Sequence, residues 1–438
     1  MRPTSENPST PRPRSRSAMR RSAAALSVLL ILPALSTGSA TASSQKATED
    51  PTVIADWNAL AVNTFAADPT KKTPETFLYM GFVQAAVYDA VVGIDGRYKP
   101  YLFHQLAPRG SSAQAAAVAA AHEVLVTYSP YAQTGLDAAY TASLAQIPDG
   151  MAKSDGIAFG TRAADNLILA RSHDGRGAPV LFTAPPAPGV WRPTPPTFTP
   201  MLDPWLGAVT PLLVHSATQF EPTPPPSLTS PTYTRDFAEV KAFGSKTSTV
   251  RTAAQTSTAL FFSGNPGIAY NAAMRDQMVR RHMRLTDAAR MFAAVDMSTA
   301  DGLITVWRAK LLYGLWRPIT AINLADTDGN PATIADPNWV PLTPTPAYPE
   351  YSSGYNVVTA AFSGGLAGLF RTDDLDLTLT SSAVPDVRQY DSGRALRVDV
   401  VDARVWLGYH FRTADTVSRD LGLKLTDWAL HHFFQPTK

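Results

Sequence analysis

The sequence predicts an all-α protein made of two helical-bundle halves joined by a proline-rich segment that is itself ordered. Three observations carry this expectation. Apolar side chains recur at three- and four-residue spacing over most of the chain. No alternation long enough to make a useful strand accompanies them. From Gly175 to Pro231 prolines crowd together, among them Pro185-Pro186, Pro195-Pro196 and Pro224-Pro225-Pro226, which forbids helix and sheet interiors alike. The same stretch carries Trp191, Phe198, Met201, Trp205, Leu212 and Leu213, more large apolar groups than a solvated linker has reason to hold. The boundaries read as 1–42 for a targeting segment, 50–174 for an N-terminal helical bundle, 175–232 for the connection and 233–438 for a C-terminal helical bundle.

A chain of 438 residues, 45% hydrophobic and 17% charged, can bury a large core. It contains no cysteine, which excludes disulfides, thiolate catalysis and Cys-ligated zinc or iron–sulfur centres and suits a protein working outside the reducing cytosol. Arg12, Arg14, Arg16, Arg20 and Arg21 precede an apolar run, Ala23 to Leu35, and then Ala40-Thr41-Ala42. Basic, apolar, small-x-small is the order of a signal peptide, and the run is too short to span a bilayer. Arg20-Arg21 also suits twin-arginine export. Cleavage after Ala42 removes six arginines and one glutamate, taking 38 basic and 36 acidic side chains to 32 and 35, a net charge of −3. No aromatic-interleaved basic patch remains to suggest nucleic acid. No later apolar run reads as a transmembrane helix. The expectation is a soluble, secreted protein; a homo-oligomer stays open.

Taken in order, Trp57, Leu60, Ala61 and Phe65 mark a first helix, and Phe77, Met80, Gly81, Gln84, Ala85, Tyr88 and Asp89 a second, closed by Gly93 and Gly96. Ser111 to Tyr128 is alanine-rich and helix-prone, with His122 read as a packed or surface residue. Ser154-Asp155 suit the cap of a helix running to Arg171. After the proline-rich segment helices resume at Thr234 and continue through Arg251 to Phe262, Pro266 to Met283, Thr286 to Leu315 and Asn356 to Phe370.

Three short motifs in the last third can converge on one tetrahedral oxyanion. Lys310 and Arg317, seven apart, would share a face of a straight helix about 10 Å apart. A guanidinium fork and an ammonium suit a phosphate-like group. Alone, this spacing is an ordinary basic stripe, but Trp307, Leu311, Leu312, Tyr313 and Trp316 wrap it in apolar surface. Ser353-Gly354 lies where a loop becomes a helix, an ordinary cap or an anion site. Arg404, Gly408 and His410 form the third motif, in which the glycine must break the helix for the imidazole to turn inward. Asp296, Asp301, Asp402 and Asp415 are candidates for orienting His410 or Arg404.

The pieces Lys310-x6-Arg317-Pro318, Pro349-Glu350-Tyr351-Ser352-Ser353-Gly354-Tyr355 and Arg404-x3-Gly408-x-His410 resemble the vanadium-dependent haloperoxidases and their phosphatidic acid phosphatase type 2 relatives. Trp57-Asn58, Ala85 to Ala90 and Tyr98-Lys99-Pro100-Tyr101 resemble the secreted actinobacterial branch of that group. The resemblance implies that Lys310, Arg317, Ser353, Gly354 and Arg404 hold the equatorial oxygens of vanadate, with His410 as the metal's axial ligand and phosphate as a competing occupant. It implies catalytic roles for His410, Lys310 and the residue at Tyr355. It also implies that hydrogen peroxide is activated on vanadate, a Lewis acid of constant oxidation state, and that a halide and then a small organic substrate are oxidised.

Tyr355 departs from the pattern, since the family has histidine after Ser-Gly as its acid–base group. Tyrosine has an ordinary pKa of ~10 against ~6.5 for histidine. Ser352 in place of proline and Ala403 in place of serine are smaller departures. Three readings follow: a haloperoxidase weakened or altered at Tyr355, an acid phosphatase working through a phosphohistidine on His410, or a cofactor-free or non-catalytic relative.

Overall fold

The computed structural model describes residues 49–437, so the targeting segment lies outside the described residues. Five helices form the first half: α1 (Thr52–Ala67), α2 (Thr73–Asp95), α3 (Ala113–Tyr128), α4 (Gln133–Ala145) and α5 (Met151–Ala170). The second half holds α6 (Pro231–Gly244), α7 (Ala253–Phe261), α8 (Pro266–Arg280), α9 (Leu285–Tyr313), α10 (Pro318–Asn323), α11 (Gly354–Phe370), α12 (Gly393–Trp406) and α13 (Arg412–His432). The architecture is helical, as expected.

α9 is the axis of the molecule, 29 residues and about 43 Å at the α-helical rise. It is buried nearly all round, packing on α2 to one side and on α11 and α13 to the other. Its alanines make this possible by letting backbones approach: a Cβ on Gly81 of α2 would stand 3.2 Å from the Ala300 Cβ. α3 and α5 meet closer still, since a Cβ on Gly160 would lie 2.1 Å from the Ala116 carbonyl oxygen.

Several boundaries differ from expectation. α2 runs through Gly93 and ends at Asp95, where Gly96 takes the left-handed conformation. α5 starts at Met151 with Gly150 before it, so Ser154 and Asp155 lie inside the helix instead of capping it. α2 is also long and apolar enough to cross a membrane by length and composition, contrary to the sequence reading, but it is packed inside the protein.

A small antiparallel hairpin was missed, β1 (Asp374–Thr380) paired with β2 (Val387–Ser392). Its signal is short: Leu375, Leu377 and Leu379 alternate with Asp and Thr and all three are buried. Three leucines bury one face, and Gln277 on α8 donates to the Leu375 carbonyl at 2.8 Å.

The proline-rich connection is ordered against the core. Trp191, Met201, Leu206, Leu212 and Leu213 are buried, whereas Phe198 is exposed. Asp301 of α9 anchors the segment by accepting the N–H groups of Leu212, Leu213 and Val214 at 2.6, 2.7 and 2.9 Å. Its burial would be costly without those donors.

Candidate active site

Chain breaks, not helix faces, bring the cationic groups together. α9 stops at Tyr313 because Gly314 adopts φ +52°, and Arg317 stands as the residue before α10, whose first position is Pro318. Lys310 and Arg317 therefore do not share one helix face, and Pro318 starts a helix of its own. Both side chains are fully buried.

The Arg317 guanidinium is held from two sides: Nε donates to the Tyr348 carbonyl at 2.8 Å and Nη1 to the Tyr409 carbonyl at 2.9 Å. Nη1 also lies 3.4 Å from His410 Nε2. Nη2 is buried with no hydrogen-bond partner among the described residues. Arg404, in the last turn of α12, sits 4.7 Å from the ring centroids of both Tyr355 and Tyr409. It donates through Nη1 to the Phe262 carbonyl at 3.1 Å, while its buried Nε has no partner among the described residues.

Gly408 breaks the chain after α12 with φ +78°, where a Cβ would meet the Gly244 carbonyl oxygen at 2.7 Å and the Pro341 Cβ at 2.8 Å. A left-handed turn in so tight a space suits glycine. The turn carries His410 inward to 1% exposure, ahead of α13.

Glu350 holds that histidine, a residue the sequence reading quoted within its motif but gave no role. Its Oε1 accepts from His410 Nδ1 at 3.0 Å and from the Phe411 N–H at 2.9 Å. No spacing rule links Glu350 to His410, 60 residues on; an acid inside an anion-binding motif was the available signal. Of the four proposed orienting acids, three lie elsewhere. Asp296 accepts from Asn271, Asp301 caps the connection, and Asp402 pairs with Arg412 at 2.7 Å. Asp415 does reach the site, but it accepts from Asn356 at 2.8 Å and lies beside Ser353 instead of His410.

Lys310 behaves differently from its expected place as an oxygen ligand. Its Nζ donates to the carbonyls of Pro349, Glu350 and Ser352 at 2.8, 3.1 and 2.6 Å. Burial, then Arg317, pushes its pKa well down, yet three carbonyl acceptors require three hydrogens, so this geometry holds the ammonium form. Lys310 thus clamps the loop that carries Ser353 and adds charge at a distance; a bond to an anion would cost it one carbonyl.

α11 begins at Gly354, and Ser353 before it makes no side-chain cap hydrogen bond among the described residues. The first N–H groups of the helix and its positive dipole end remain available. Trp307 covers Gly354: a Cβ there would lie 3.1 Å from the indole ring.

Electrostatics fix the state of the imidazole. Burial first, then Arg317, Lys310 and Arg404, holds the His410 pKa well below the usual range. The ring is neutral, and with Nδ1–H directed at Glu350 its Nε2 keeps a lone pair. Burial pushes Glu350 up to about 8 against the pull of Arg317 and Lys310. Since Oε1 accepts two N–H groups, a proton on this acid resides on Oε2. Asp415 is pushed up to about 7, again by burial.

These groups fit a tetrahedral oxyanion such as vanadate or phosphate. Arg317 Nη2, Arg404 Nε and the α11 N-terminus are donors left over inside the protein, and three buried cations face two carboxylates whose burial favours neutrality. Buried charge and unpaired donors are costly without a partner. Tyr355, half-buried between Arg404, Phe262 and Tyr270, is no substitute for an acid–base histidine, because burial raises its pKa further still. Beside Gly354 and Arg404 opens a cavity of about 280 Å³, walled mainly by apolar and aromatic side chains.

The same stretch is where the chain meets known proteins. Residues 290–438 match the family model of the VCPO second helical-bundle domain, which spans every candidate ligand above. The vanadium chloroperoxidase of Curvularia inaequalis is 24% identical over 242 residues, covering 41% of this chain and 39% of that relative's length. The match thus spans about two fifths of the curated relative.

In fold, the crystal structure of the first bacterial vanadium-dependent iodoperoxidase superposes with a TM-score of 0.76 at 22% identity, over 89% of this chain and 98% of that one. A holo-type bacterial vanadium-dependent chloroperoxidase gives 0.70 at 17% identity, over 88% and 97%. The resemblance to the vanadium-dependent haloperoxidases is therefore present in family model, curated relative and fold alike.

Proposed function

We propose that this chain is a secreted haloperoxidase-like enzyme that oxidises halide with hydrogen peroxide at a vanadate held by His410. The observation that supports this reading best is the neutral His410, pinned by Glu350 with its Nε2 lone pair turned towards Arg317 Nη1 at 3.4 Å, beside the unpaired donors Arg317 Nη2 and Arg404 Nε. His410 Nε2 would bond the metal; Arg317, Arg404, Ser353 and the Gly354 N–H would hold the oxygens; Lys310 would stiffen the loop. Vanadate, when bound, supplies Lewis-acid activation of peroxide.

The residues do the rest by orientation and exclusion of water. Tyr355 offers a hydroxyl that stays protonated and can donate a hydrogen bond, so the site lacks the acid–base help worth ~10²- to 10⁴-fold elsewhere. Reduced turnover relative to a histidine-bearing site is the consequence.

Calorimetric titration of the mature chain with orthovanadate, repeated in excess phosphate, tests the pocket. One-to-one binding that phosphate weakens is expected, and His410→Ala should abolish it. Unchanged vanadate retention in that variant would contradict the reading.

A second reading, an acid phosphatase, draws on the same observation, because a neutral Nε2 lone pair is also a nucleophile for phosphorus. Tyr355 weighs against it, since a poor leaving group needs a proton donor. Turnover of p-nitrophenyl phosphate without halide oxidation would favour it, and absence of any anion binding would favour a cofactor-free role.

A further inference from the structure

Arg404 is buried without a carboxylate partner among the described residues. Its Nη1 donates to a backbone carbonyl, that of Phe262, and aromatic rings flank the rest. A guanidinium is planar and rigid, so anchoring one N–H sets the direction of the others. Among these is the unpartnered Nε–H. How well that donor is aimed therefore depends on how firmly the Phe262 carbonyl is placed.

Phe262 lies outside regular structure. It follows α7, in the short turn that leads to Asn265 and α8. Backbone hydrogen bonding runs out at a helix end, so a carbonyl there needs support from elsewhere to keep one direction. The hairpin between α11 and α12 supplies it on both sides of Phe262. Directly after β1, the Ser381 hydroxyl donates to the Phe261 carbonyl at 2.7 Å, and the Ser382 hydroxyl accepts the Asn265 N–H at 2.8 Å. Gly264 permits this approach: a Cβ there would stand 2.9 Å from both hydroxyl oxygens and 3.1 Å from the Ala383 nitrogen. β2 holds the end of α7 as well. Arg388 donates through Nη1 to Thr258 Oγ1 and through Nη2 to Ser257 Oγ, at 2.9 Å each, and lies 5.1 Å from the Phe261 ring centroid. The clip is itself well seated, by the buried leucines of β1 and the Gln277 bond.

We propose that the Ser381-Ser382 turn of the hairpin is a positioning element for the anion site. It fixes the Phe262 carbonyl and, through it, the direction in which Arg404 Nε–H meets a bound oxyanion. Ser381 and Ser382 act only through Phe262 and Arg404. The inference rests on the reading of Arg404 as an oxyanion ligand.

The test uses the full mature chain and orthovanadate as probe. The double variant Ser381→Ala/Ser382→Ala removes both hydroxyls, and Gly264→Ala displaces them while leaving the hairpin sequence intact. Calorimetric titration should show vanadate binding weakened roughly three- to tenfold by each, the size of about one net hydrogen bond. Cooperative thermal unfolding shows that each variant is folded. Hydrogen exchange should quicken at residues 261–265.

A double-mutant cycle separates aim from general loosening. Arg404→Lys keeps the charge but lacks the planar fork. In that background the same serine substitutions should change vanadate affinity less than about twofold, because there is no fork left to misdirect. Wild-type affinity in both folded variants would overturn the proposal. So would an equal loss in the arginine and lysine backgrounds, which is the mark of a bracing role alone. Failure of the underlying reading looks different: wild type itself binds neither orthovanadate nor phosphate, and the proposal then falls with it.

Discussion

Replacing Glu350 with alanine tests how far the imidazole depends on one buried acid. The carboxylate is fully buried, and its Oε1 satisfies both His410 Nδ1–H and the Phe411 N–H. Alanine leaves both donors unpaired, at ~1–3 kcal/mol each or about 2–6 kcal/mol together. The imidazole also loses the group that fixes its tautomer, and loss of such a supporting partner typically weakens a metal site ~10- to 100-fold. In binding free energy this is about 1.4–2.7 kcal/mol.

Glu350→Gln separates geometry from charge, because an amide oxygen in the place of Oε1 can still accept both N–H groups. The expected order of orthovanadate affinity by calorimetry is wild type, then Gln, then Ala, with thermal unfolding following the same order. A folded Glu350→Ala protein that binds vanadate as tightly as wild type would refute the orienting role.

Three further outcomes are expected. Asp301→Ala strands three buried N–H groups and should cost at least ~3 kcal/mol, loosening the proline-rich connection; limited proteolysis should cut within residues 175–231 faster than in wild type, and equal rates would count against the anchor. Burial pushes Asp296 up to about 7, so its protonated form favours the fold. That contribution is complete below the unfolded pKa and is lost as pH rises through 7, at up to ~1.4 kcal/mol per pH unit. Urea unfolding should show wild type losing stability relative to Asp296→Asn over this window, and a pH-independent difference would exclude it. Tyr355→His places a group of ordinary pKa ~6.5 beside Arg404 and should raise the halogenation rate; no gain in a vanadate-loaded variant would mean that the missing acid–base group does not limit turnover.

Periodicity and punctuation made most of the helical architecture legible. α1, α2 and α9 announce themselves by apolar spacing, and the large apolar groups of the proline-rich segment signalled that it packs. The hairpin escaped because three alternating leucines are too few to distinguish a strand from a loop. Within the site, the cations, the Ser353-Gly354 start of α11 and the helix-breaking glycine were readable as motifs, because each is local in the chain, whereas the lack of a side-chain cap at Ser353 came from the structure.

The sequence by itself determined which residue types surround the candidate anion site and in what order, since basic groups wrapped in aromatics and a Ser-Gly before a helix are local properties. Tertiary structure decided what each does. Lys310 faces three carbonyls because the loop from Pro349 to Ser352 folds over it, and Glu350 meets His410 across 60 residues. The ionisation of His410, Glu350, Asp415 and Tyr355 follows the same division. A pKa depends on burial and on charges brought near through space, and neither is a property of spacing along the chain.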